Sequence, residues 1–220
     1  MSTPSAGFDP VVPLLAVAGF VWGVVADRIS ARWPAHDDGS VRSVDWRTLA
    51  VAVFGAVALA AVGQRFGDPA QQLLFGAFFA ACVLIMATDL DQRLMPDVVT
   101  LPLIVLGAVA LAWGGDSLVN RSPVWMAIVG AVAVPGVLFV ASLPFGEGAF
   151  GIADVKFLAA VGLLAGLVRV VIVVFAGALV SGVVIIALLV TRRITLHSYI
   201  PFGPFLIIGA VWAVLLPAST

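Results

Sequence analysis

VVIVVFAGALVSGVVIIALLV, residues 170–190, runs for 21 residues without a charged side chain and is closed by Arg169 on one side and by Arg192 and Arg193 on the other. At about 1.5 Å of rise per residue the run makes a helix of about 31 Å, enough to cross the ~30 Å hydrocarbon core of a bilayer. Working outward from it, similar apolar stretches recur at 11–28, 47–64, 71–88, 97–114, 123–142, 154–168, 169–191 and 202–217. The whole chain of 220 residues is 62% apolar and 10% charged, with a mean hydropathy of +1.18. A soluble domain carries roughly 25% charged residues, so this chain has too little polar surface to cover a globule in water. The reading is an all-α, polytopic integral membrane protein with about eight transmembrane helices in one domain, 1–220. Only Arg169 parts the sixth stretch from the seventh, which suits a half-depth or strongly tilted sixth helix. Pro102 and Pro135 fall inside apolar stretches, where neighbouring helices can satisfy the freed carbonyls.

The rest of the composition excludes by absence. With 11 Lys+Arg against 12 Asp+Glu there is no basic stripe for nucleic acid. Cys82 is the single cysteine, so neither a disulfide nor a zinc knuckle is expected. His36 and His197 have no acidic or cysteine partner at ligand spacing and read as solvated loop histidines; no metal and no cofactor is expected. The first residues, MSTPSAGFDPVV, contain no Lys or Arg, so the first apolar stretch reads as a retained helix and not as a secretory signal. Trp33, Trp46, Trp113 and Trp125 fall near helix ends, as interfacial anchors facing membrane lipid do.

Positive charge orients the chain. Loops 1, 3, 5 and 7 hold Arg28, Arg32, Arg42, Arg47, Arg93, Lys156, Arg192 and Arg193, whereas the other side holds Arg65, Arg121 and Arg169. The odd loops are therefore expected in the cytoplasm and both termini outside.

Acids are expensive in a membrane, so each of the 12 needs a reason. Asp9, Asp27, Asp37, Asp38, Asp45, Asp68 and Asp116 read as solvated charges in the tail, in loops or at helix ends. The remainder cluster. Asp89, Asp91 and Asp97 surround the break in MATDLDQRLMPDVVTLP (86–102), and Glu147 and Asp154 flank the break in FGEGAFGIADVKFLAAVG (145–162). Both breaks fall on the expected cytoplasmic side. Asp91 lies about 200° around a helix from Asp89, so only one of the two can face a shared site. Asp97, after Pro96, is placed to cap the fourth helix, and Asp154 to cap the sixth. The alternative for Asp89 and Asp154 is a carboxylate dyad, in which one acid keeps its proton because two close like charges in low dielectric cannot both ionise.

At these residues the chain resembles the prepilin peptidases, aspartic membrane proteases that process type IV pilin and type II secretion pseudopilin precursors. DLDQRLMPDVVTLPLIVLG (89–107) is similar to that family's first signature, an Asp, a short polar turn, then Pro-Asp and an apolar helix containing Thr-Leu-Pro. GEGAFGIADVKFLAAVGLLAG resembles the second, a glycine-rich loop ending in Gly-x-Gly-Asp-x-Lys, and IPFGPFLIIGAVWA (200–213) the family's carboxy-terminal helix. The resemblance implies Asp89 and Asp154 as catalytic aspartates, with Gly151, Ala153, Lys156, Pro96 and Asp97 supporting them. It further implies a bacterial-type plasma-membrane enzyme with both signature loops in the cytoplasm, prepilin or pseudopilin precursors as partners, a peptidase core at 71–220 and a reduced amino-terminal region at 1–70. Ala153 replaces the signature's second glycine, a change that restricts positive φ and is expected to re-aim the loop. GFVWGVVADRISARWP (19–34) resembles the first helix of the bifunctional members, which also N-methylate the new pilin amine. Those often carry paired Cys-x-x-Cys motifs in the following loop; here ARWPAHDDGSVRSVDWRT has no cysteine, so the methyltransferase half reads as reduced. Two rivals stand beside this reading: a proton-coupled transporter, which wants its acids near mid-bilayer, and a catalytically silent homologue acting in pilus or secretion assembly.

Overall fold

The computed structural model describes residues 10–35, 39–114, 123–145, 150–195 and 201–217. Among them the chain forms α1 (Val11–Ser30), α2 (Trp46–Arg65), α3 (Pro69–Gln92), α4 (Asp97–Gly114), α5 (Val124–Ser142), α6 (Ile152–Ala165), α7 (Leu167–Val190) and α8 (Gly203–Leu215), with a 3-10 turn at Leu143–Phe145. Their limits follow the apolar stretches to within about a helical turn. Five of them, α1, α2, α3, α5 and α7, are long and apolar enough to cross a membrane, and α4 and α8 are shorter apolar helices. The protein is thus a polytopic, all-helical membrane protein. At 14 residues and about 21 Å, α6 is shorter than a full untilted span. His36, His197, Asp9, Asp37, Asp38, Asp116, Arg121, Gly146, Glu147 and Gly148 lie outside the described residues.

The polar residues between apolar stretches start the helices. Asp45 caps α2: its Oδ1 accepts the backbone N–H of Arg47 at 2.9 Å, while the Thr48 hydroxyl oxygen accepts the Asp45 backbone N–H at 3.4 Å. Asp68 does the same for α3, accepting the N–H of Gln71 at 3.0 Å, and Pro69 supplies a first helical residue that needs no donor. Trp33, Trp46, Trp113 and Trp125 stand exposed at or near helix ends, the arrangement of interfacial anchors.

The chain divides into two compact units, Met1–Ala87 and Thr88–Thr220, with the last turn of α3 in the second. In the first unit α1 packs along α2. Gly19 and Gly55 make the approach close, because a Cβ on either would overlap the backbone carbonyl of the other. Trp22 Nε1 donates to the Ala80 carbonyl of α3 at 2.8 Å, and Phe66 stacks on Phe75 with centroids 4.1 Å apart.

One acid departs from expectation in this unit. Asp27 is fully buried, not solvated. The Thr48 hydroxyl donates to its Oδ2 at 2.7 Å, the Arg28 guanidinium binds the same oxygen, and Arg42 binds Oδ1. Arg42 comes from 15 positions away, so a reading of the local segment had no way to find it. An ionised carboxylate taken from water costs several kcal/mol unless it is paired and hydrogen-bonded, and this one is both.

In the second unit α6 packs against α4 and α5, α5 and α6 against α7, and α7 against α8. A Cβ on Gly162 of α6 would overlap the backbone of Ala131 in α5. Gly166, at φ 85°, makes the turn from α6 to α7 in a conformation that favours glycine. Arg169, expected only as a charge at a helix break, is buried in the first turn of α7 and donates to the carbonyls of Ala213, at 2.9 Å, and Pro217. These acceptors lie at the carboxy end of α8, where a cation satisfies orphan carbonyls and complements the helix dipole.

Removing the acid of the Asp27 cluster leaves Arg28 and Arg42 without the carboxylate that both of them bind. Asp27→Ala is expected to destabilise the protein by about 3 kcal/mol, the low end for breaking a buried pair because both arginines keep some exposure. Thermal unfolding in detergent reads this as a clear loss of Tm; an unchanged Tm would mean that the cluster contributes nothing.

Candidate functional site

Asp89 stands in the last turn of α3. The helix ends after Gln92 because Arg93 adopts a left-handed backbone, φ 56°, while its N–H still donates to the Asp89 carbonyl at 2.9 Å. A non-glycine residue there costs on the order of 1 kcal/mol, and it turns the chain at once towards the buried Met95 and Pro96. The Pro96 carbonyl accepts the N–H groups of Val99 at 2.9 Å and Thr100 at 3.0 Å, together with the Thr100 hydroxyl at 3.4 Å. Pro96 therefore begins α4 through its backbone. Asp97, expected to cap that helix, is instead its first residue. Its exposed carboxylate accepts Lys156 Nζ at 2.7 and 2.8 Å, which ties the start of α4 to the start of α6. With side-chain exposures of 29% and 57% this pair sits in high dielectric and is worth at most about 1 kcal/mol.

Asp154 is the third residue of α6, not its cap. Gly151 takes the cap position with extended backbone, and Asp154 Oδ2 reaches back to accept the Gly151 N–H at 3.3 Å. An acid three residues into a helix makes this contact readily. Burial pushes the Asp154 carboxyl up to about 6, against the opposing pull of that N–H. Ala153 is the second residue of α6 and has helical backbone. The expected re-aiming of the loop by alanine has no basis here, since a helical position asks for no positive φ.

These segments meet at one end of the second unit. Asp89 is 5% exposed, and its Oδ2 has no hydrogen-bond partner among the described residues. Asp154 and Arg93 both lie near enough to act on its charge. Asp91, two residues on, is only half-buried. Among the described residues no third His, Cys, Asp or Glu joins the two aspartates in a group that could hold a metal ion. Gly203 borders both Asp89 and Met95, since a Cβ built on it would overlap the Asp89 carboxyl and Met95 Cε. Sequence reasoning missed Gly203 and Met95. The available signal was the Gly-Pro pair opening α8 in PFGPF, a glycine at a helix start where no turn demands one.

Known proteins bear on this arrangement. The model of the type IV leader peptidase family matches residues 76–187. The prepilin leader peptidase/N-methyltransferase of Aeromonas salmonicida (strain A449) is 32% identical over 195 residues, 86% of this chain and 59% of that protein. Its namesake in Pseudomonas putida is 26% identical over 214 residues, 94% of this chain and 66% of its own length. In Stutzerimonas stutzeri the protein of that name is 31% identical over 128 residues, 58% of this chain and 44% of its own length. The chain thus spans less than two thirds of the curated relatives it matches. No solved structure matches it.

Proposed function

The chain belongs to the type IV leader peptidase family, and from that premise we propose that it is a membrane aspartic endopeptidase that removes the leader peptide of type IV pilin-like or pseudopilin precursors at the cytoplasmic face. The observation that carries this reading is that Asp89 and Asp154, 65 positions apart in sequence, come close enough at one end of one unit for their charges to interact. Residues 71–220 form the peptidase core in this proposal and residues 1–70 a reduced amino-terminal region.

Two carboxyls in such a setting share one proton, because a second ionisation beside the first is disfavoured in low dielectric. The ionised member takes a proton from water as the water oxygen attacks the scissile carbonyl carbon. The protonated member gives its proton to the leaving amine as the C–N bond breaks, so the products are a leader carboxylate and a free amine. The roles belong to the pair and not to either residue alone. Gly151 orients Asp154 through its N–H, and the Asp97–Lys156 pair holds the two helix starts together. The substrate helix enters from the bilayer with its basic leader left in the cytoplasm. Leader cleavage alone is proposed, since the segment 31–48 lacks the paired cysteines that the bifunctional members often carry.

Co-expression with a prepilin tests this directly. Asp89→Asn and Asp154→Asn are each expected to lower leader release by at least about 100-fold, the lower range for losing a general acid or base; full processing by either variant would sink the dyad. The profile of cleavage against pH is expected to carry a limb near about 6, set by the upward shift at Asp154. A rising limb means that the first ionisation of the pair switches activity on, and a falling limb that loss of the shared proton switches it off; a flat profile contradicts the dyad. Because Ala153 is helical, Ala153→Gly is expected to change processing by less than about fivefold, the rate equivalent of the upper end of the 0.5–1 kcal/mol such a helix substitution costs. Cleavage that appears only in the glycine variant would favour the catalytically silent reading.

A further inference from the structure

Glycine at the start of α8 is not required by backbone conformation. Gly203 is absent from the described glycines with positive φ, which are Gly39 and Gly166. What its position excludes is volume. Any Cβ there would overlap both Oδ2 and Cγ of Asp89 as well as Cε of Met95. Met95 Cε is the far end of a flexible side chain and can give way, whereas Asp89 has a short side chain with no slack, so its carboxyl would have to leave its rotamer.

Neither can α8 retreat. Its far end is held by Arg169 on the Ala213 and Pro217 carbonyls. Along its length Leu206, Ile207, Ala210, Ala213 and Val214 are buried, and Gly209 lies so close to α7 that a Cβ would overlap the Val173 carbonyl. We propose that Gly203 is a positioning residue for Asp89: the bare Cα at the start of α8 is the wall against which the Asp89 carboxyl rests, and it fixes where that carboxyl sits relative to Asp154. The proposal rests on the peptidase reading, in which the two carboxyls must cooperate. A misplacement of about 1 Å at a reacting group can cost roughly 100-fold in rate, and one methyl group at Gly203 forces a displacement of that order.

The test uses the full-length protein in detergent with a synthetic prepilin segment as substrate, comparing wild type, Asp89→Asn, Gly203→Ala and Gly209→Ala. Gly203→Ala is expected to lose about 100-fold in kcat with KM little changed, whereas Gly209→Ala, remote from Asp89, is expected to lose thermal stability first. A Gly203→Ala enzyme with wild-type kcat beside an inactive Asp89→Asn overturns the Gly203 proposal and leaves the peptidase reading standing. An active Asp89→Asn removes the peptidase reading instead. A second measurement judges the contact without activity or full stability: the Tm loss caused by Gly203→Ala is measured with Asp89 present and again in an Asp89→Ala background. Relief of the loss in that background supports the contact. Equal losses in the two backgrounds overturn the proposal, whatever the kinetics.

Discussion

A carboxylate withdrawn from water is the most expensive common group this chain carries, and the structure handles it in two opposite ways. At the end of α1, Asp27 is fully buried and bound by Thr48, Arg28 and Arg42. At the end of α3, Asp89 is nearly as deeply buried, yet Oδ2 has no hydrogen-bond partner among the described residues and its nearby charges include another acid. The first arrangement fixes an ionised side chain in place and leaves it nothing further to do. The second leaves a carboxyl whose protonation state is sensitive to its neighbour, the condition that acid–base chemistry requires.

Much of the fold was legible because the bilayer imposes it. Apolar stretches and polar breaks located the eight helices of the described residues to within about a turn, and the shortness of α6 was foreshadowed by the lone Arg169 between the sixth and seventh stretches. The two aspartates proposed as a dyad were singled out through scarcity: with 12 acids in 220 residues, those not explained by tails, caps and loops formed two groups. Local reading failed where a side chain answers to a distant one. Asp27 looked solvated until Arg42 and Thr48 folded back on it. Asp97 looked like a cap, but the Pro96 carbonyl already begins α4, which freed the acid to pair with Lys156 of α6. Ala153 looked like a departure that would disturb a loop, and it is a helical residue. For the two acids the cause is the same, that a partner 15 or more positions away cannot be read from a short segment; for Ala153 it is that the helix starts earlier, at Ile152, than the loop reading assumed.

Membership of the type IV leader peptidase family and the geometry at the ends of α3, α6 and α8 rest on separate observations. The family match covers residues 76–187 and so includes Asp89 and Asp154, but it stops short of α8. The contact between Gly203 and Asp89 lies partly outside that match and comes from the coordinates alone. Its signal in the sequence was a single small residue before a proline.

The clasp of Arg169 on the carboxy end of α8 gives that helix a fixed length. One end is tied to α7 through two carbonyls, and the other rests on Asp89 through a residue with no side chain. Inserting or deleting one residue between them would turn one end by about 100° and shift it by about 1.5 Å relative to the other, so that one of the two contacts must be lost. Loops elsewhere in this protein can gain or lose residues at modest thermodynamic cost. The interval from Gly203 to Ala213 cannot, and among homologues with this architecture it should accumulate substitutions but not changes in length.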